Sequence, residues 1–168
     1  MSLSMYQASA PVFIHQLGTI AKVLDKGEAF AREKSIDPAE LIEARLAPDM
    51  LALPKQIQIA TDAAKGAIAR LAGIEPPAFA DTETSFAELQ ERIAKTIAFI
   101  RSVPADQVDG SEGRDIVLKI GGADMPFKGQ TFLLHFALPN FFFHITTAYG
   151  ILRHKGVEIG KRDFLDLS

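Results

Sequence analysis

Residues 129–155 read GQTFLLHFALPNFFFHITTAYGILRHK. Pro139 has no N–H to offer the carbonyl of His135, so a helix through this stretch is expected to kink about one third of the way along. Beyond the proline, at about 100° per residue, Asn140, Phe143, His144, Thr147, Ile151 and His154 share one face. Phe141, Ile145, Ala148 and Leu152 share another. Large apolar residues on two faces need cover on both. The stretch therefore reads as the long last helix, Gly129 to Lys155, of a helical bundle. Phe132, Phe136, Phe141, Phe142 and Phe143 are expected mainly as core, with part of that surface available for pairing with a second copy.

Upstream, Ile116, Leu118 and Ile120 alternate with Asp115, Val117 and Lys119, the period of a strand. Gly121-Gly122 supplies a hairpin turn, and Met125 and Phe127 lie on a short returning strand where Pro126 is tolerated at an edge. Further back, Ser85 and Glu88 form a capping box ahead of Phe86, Leu89, Ile93, Ile97 and Ile100, the cleanest amphipathic spacing in the chain. Between Met50 and Ala72, Leu53, Ile57, Ala60, Ala64, Ile68 and Leu71 form a stripe that Gly73 ends, with Pro54 in the opening turns and Asp49 as a capping residue. Asp37-Pro38-Ala39-Glu40 marks a short extra helix. The first helix runs from about Ser4 to Lys26, continues unevenly through Ala31, and is bent or delayed by Pro11. The tail VEIGKRDFLDLS is too short for another element, and no repeat or linker divides residues 1–168, which read as one domain.

Composition narrows the functions available. Of 168 residues, 48% are apolar and 23% charged, ordinary values for a chain that buries a core. Lys and Arg number 18 against 21 Asp and Glu, and the cations are scattered, so neither nucleic acid nor an anionic membrane is an expected partner. Arg153, His154, Lys155, Lys161 and Arg162 read as solvated cations near a helix C-terminus. The absence of cysteine removes disulfides, thiolate nucleophiles and Cys-ligated metals. No Ser-His-Asp order, phosphate loop or dinucleotide fingerprint appears. Without a charged, apolar leader or a run of about 18 apolar residues, the expected location is the cytoplasm. Met1-Ser2-Leu3 reads as a scar left by expression.

Two blocks, RLAPDMLALPKQIQIATDAAKGAIARLAG and HFALPNFFFHITTAYGILRHKGVEIGKRDFL, resemble the domain-of-unknown-function family numbered nineteen-ninety-three, a branch of the DinB-like superfamily. The resemblance spans nearly the whole chain. It implies a mainly α fold: a four-helix bundle, up-down-down-up, with a short extra helix and a small β-hairpin before the last helix. Better-known members of the superfamily bind a metal through one His on an earlier helix and two His four residues apart on the last, and some transfer low-molecular-weight thiols. Matching the family's LR…G ending to Leu152-Arg153 and Gly156 puts His144 at the second His of that pair and Asn140 at the first.

The earlier helix has no His, and its nearest oxygen donor is Asp49. One imidazole, one amide and one carboxylate form a poor set for zinc or nickel, so no metal or cofactor is expected. His135 lies about 180° from His144 on an ideal helix. A lone His on a partly apolar face is more often a hydrogen-bonded core residue than a ligand. The resulting expectation is a non-enzymatic homodimer with no catalytic residues, binding a small molecule or partner in a polar pocket near His144 and Asn140. His135, Asp49 and Thr147 are further candidates. The alternative is a DinB-like transferase or hydrolase with a reduced or altered metal site.

Overall fold

The computed structural model describes residues 3–167. Met1 and Ser2, two thirds of the suspected scar, and Ser168 lie outside it. Helix α1 runs unbroken from Ala10 to Lys34 with Pro11 in its first turn, so the proline sets the start and introduces no bend. It buries Phe13, Leu17, Ile20 and Leu24 and ends where Ser35 turns left-handed at φ 54°. The short helix α2 covers Pro38–Ile42, and the Asp37 carboxylate accepts the Ala39 N–H at 3.0 Å.

Helix α3 spans Leu53–Ala72 and stops at Gly73, whose φ of 72° suits a residue without a β-carbon. Its cap is Ala52, with no side-chain bond. Asp49, expected to cap it, instead sits in the exposed turn 47–50. Pro54 in the first turn already lacks the donor that such a cap would satisfy. Helix α4, Phe86–Ser102, opens on the anticipated box: Ser85 Oγ accepts the Glu88 N–H at 3.3 Å, and the Glu88 carboxylate accepts from the Thr84 N–H and Ser85 hydroxyl. A single turn, α5 (Ala105–Val108), follows.

Strands β1 (Asp115–Ile120) and β2 (Ala123–Lys128) pair antiparallel across Gly121-Gly122. Both glycines have positive φ, 59° and 85°, as a tight two-residue hairpin turn requires. Ile116 and Leu118 are buried while Val117 faces solvent.

The last helical run has three parts: α6 (Gly129–Phe132), a π-helical turn (Leu133–Ala137), and α7 (Leu138–His154). A β-carbon at Gly129 would strike the Ser111 carbonyl, so this entry needs glycine. The expected disturbance at Pro139 takes the form of the π turn just before it. Leu138 N–H reaches back five residues to the Leu133 carbonyl, and the widened turn takes up the discontinuity a proline creates. One element was not anticipated. The tail forms a helical turn, α8 (Lys161–Phe164), held to α1 by Lys22–Asp166 and Lys26–Asp163 ion pairs.

Around the bundle the order is α1, α4, α3, α7. The connections from α1 to α3 and from α4 to α7 therefore run between elements that are not principal neighbours, the non-sequential kind of four-helix bundle. Phe13 and Phe141 meet edge to face at 4.9 Å inside the core. No helix among the described residues is long and apolar enough to cross a membrane.

Candidate functional site

His144 is only 9% exposed, and its Nδ1 lies 2.7 Å from Gln56 Oε1 on α3. Gln56 Nε2 donates to the Leu51 carbonyl at 2.9 Å. That second bond orients the amide, so Oε1 faces the imidazole and Nδ1 must carry the proton. Nε2 keeps the lone pair. It has no hydrogen-bond partner among the described residues, yet it is not one of the side-chain atoms sealed away without a partner. Burial lowers the imidazole's proton affinity below its usual 6.5, because desolvation penalises the charged form. Phe143, 57% exposed, stands edge-on beside the ring at 5.1 Å.

The five candidates do not converge. Thr147 is buried one turn beyond His144, and its hydroxyl donates back to the Phe143 carbonyl at 2.7 Å. His135 projects from the π turn as an exposed residue, and Asp49 is exposed in the loop before α3. Asn140, one turn before His144, lines a groove between α3, the hairpin and the π turn. His144 does not line it.

That donor arrangement does not fit the superfamily's metal. The Gln56 amide occupies His144 Nδ1, and among the described residues no cluster of three or more His, Asp or Glu side chains could hold an ion. Gln56, the partner that sequence reading missed, stands on the apolar stripe of α3 one residue before Ile57. A polar residue there was the available signal.

The groove encloses about 270 Å³. Ile59, Ala63 and Arg70 of α3 form one side, Phe132, Phe136 and Asn140 another, and Leu118, Lys119 and Ile120 of the hairpin complete it. Asp62, at its margin, is committed to Lys65 at 2.7 Å and Arg92 at 2.8 Å.

Arg92 organises a second region. Its side chain is buried on α4, and all five donors are used: Nε on Thr61 Oγ1, Nη1 on the Ala80 carbonyl and Glu83, Nη2 on Asp62 and Asp81. The segment between α3 and α4 is thereby strapped down. Burial raises the Asp81 and Glu83 carboxyls, but bonds from Lys55 and Arg92 to Asp81, and from Arg92 and Gln58 to Glu83, outweigh it and leave both below their usual values. A larger cleft of about 380 Å³ opens beside this strap, walled by Glu83, Glu88 and Glu91. Its remaining cation, Lys95, lies 4.0 Å from Glu91.

A four-helix bundle with crossing connections, a hairpin before the last helix and a histidine on that helix defines a DinB-like protein. The chain matches a crystal structure of a DinB family member from Shewanella denitrificans with a TM-score of 0.86 and 39% identity, covering 95% of this chain and 90% of that one. Residues 5–165 match the family model described as domain of unknown function (DUF1993), and the chain belongs to that family. No curated protein matches it.

Proposed function

We propose that this chain is a ligand-binding member of the DinB-like superfamily, a single cytoplasmic domain working as a homodimer, and that its binding site is the groove lined by Asn140. The observation that carries the reading is Asn140 itself: a polar amide with no side-chain hydrogen bond among the described residues, set among aromatic and aliphatic walls with a few charged groups, the usual make-up of a small-molecule site. The pairing of His144 with a glutamine supports a binding role over inherited metal chemistry. Exposed Phe143 and Leu51, with Leu46 packed over Gly150, offer an apolar face for the partner copy.

A fragment screen by thermal shift tests the site. Ligands that stabilise the native protein are expected to lose their effect in Ala63→Trp, which fills the groove; ligands that act equally on both would sink the proposal. The alternative, a transferase or hydrolase with an altered metal site, rests on the free Nε2 of His144. Metal analysis of protein purified without a histidine tag separates the two: stoichiometric metal lost in His144→Ala would favour the enzyme.

A further inference from the structure

Arg70 is a groove residue whose charge forms no ion pair among the described residues. It is half-buried, and burial lowers its proton affinity, opposed by the charge of nearby Glu75, with no side-chain hydrogen bond among the described residues. Glu75 is exposed and forms no ion pair with it among the described residues. Two nearby acidic groups are engaged elsewhere: Asp115 with Lys128 at 2.6 Å, and Asp62 with Lys65 and Arg92. Lys119 adds a second positive charge to the groove wall. A guanidinium held partly out of water with no carboxylate bonded directly to it is a poor structural choice and a good anion receptor.

A second, independent feature points the same way. Gly66 lies in the middle of α3, where glycine destabilises a helix relative to alanine. A β-carbon there would meet nothing within 4 Å except the Arg70 guanidinium, which it would strike at Nη1. Residues 59, 63, 66 and 70 fall on one stripe of the helix. The helix therefore gives up its preferred residue at one position, and the space released holds the Arg70 head group folded back along the groove.

We propose that the groove binds a small organic carboxylate, its carboxyl on Arg70 and its aromatic or branched apolar body between Ile59, Phe132 and Phe136. This rests on the groove being the binding site. The volume of about 270 Å³ is at the lower limit of small-molecule sites, roughly 300 Å³, which favours a compact monoanion. The cleft beside Arg92 cannot serve the same ligand, since its guanidinium donors are spent on carboxylates.

The test is an NMR titration of the full chain with phenylacetate and phenylacetamide, following the Asn140 side-chain amide and the Arg70 Nε–H. The carboxylate is expected to bind at least about ten-fold more tightly, the scale of one charge-assisted contact. Arg70→Gln should abolish that preference, bringing the two probes to similar affinity. Gly66→Ala should weaken the carboxylate several-fold while raising the melting temperature by about 2–3 °C, a combination that a purely structural role for Arg70 would not give. Equal binding of both probes, with Asn140 responding, overturns the carboxylate assignment and leaves the groove as a site. Silence at Asn140 with both probes at millimolar concentration overturns the assignment and the groove reading together.

Discussion

The His144 imidazole is held by one strong bond to an amide that is itself anchored to the Leu51 carbonyl. Its proton sits on Nδ1, and Nε2 is the nitrogen that titrates. Because burial depresses its folded-state value below 6.5, the unfolded chain takes up this proton first as pH falls. The stability His144 contributes is thus intact above about pH 6.5 and declines below it. NMR of the ring is expected to show the Nδ1–H tautomer and a midpoint under 6.5, and a midpoint above that value would contradict the geometry. Gln56→Leu should cost about 1–2 kcal/mol in denaturant unfolding, since it strands a buried donor. His144 was readable in advance as a hydrogen-bonded histidine on a partly apolar face. Its partner was not, because Gln56 is 88 residues away and no local spacing encodes that contact.

At the level of single elements, the strap across α3 and α4 depends on a guanidinium that fills five directional bonds. Arg92→Lys keeps the charge but cannot reproduce the fork. We expect either Arg92→Lys or Arg92→Met to destabilise the protein by about 2–4 kcal/mol, by breaking the buried bonds to Thr61, Glu83 and Asp62 and leaving Asp62 to Lys65 and Glu83 to Gln58 alone. Hydrogen exchange should show opening confined first to residues 74–84. Asp81 and Glu83 titrate below their ordinary 3.8 and 4.5, so their contribution is complete at neutral pH and is lost as pH falls through and below that range. Glu83→Gln should flatten the acid limb of a stability profile there, and an unchanged limb would remove the carboxylate from the account.

The same elements divide what could be read from the chain. The α4 box and stripe were legible because every signal is local. Arg92 stands on the buried side of that stripe, between Leu89 and Thr96, and a charge at such a position was a readable anomaly. Helix α8 was not legible: its four residues hold their shape through α1, with Gln16 donating to the Phe164 carbonyl and Tyr149 packed on the Phe164 ring. Pro139 announced a disturbance, but a missing donor alone does not choose between a kink and a π turn.

For the molecule as a whole, the long last helix is the central element, with both its faces largely covered by the bundle. Phe143 is the exception among its aromatics. Sedimentation at micromolar concentration is expected to give a dimer and Phe143→Glu a monomer with unchanged helicity; a monomeric native protein would remove the proposed pairing. The groove escaped sequence reading because it joins three stretches, around residues 59–70, 118–120 and 132–140, whose proximity only the fold creates. Asn140 was singled out for its place beside His144, yet the two amides of interest, Asn140 and Gln56, serve separate neighbourhoods.

Gly66 makes the molecule a place where two kinds of selection diverge. A library screened only for survival at high temperature should accumulate alanine at that position, gaining about 0.8–1 kcal/mol of helix propensity. A library sorted for capture of a carboxylate should hold on to glycine and accept the weaker helix. Running both sorts from one starting pool would turn a single notch in α3 into a record of which demand shaped the chain.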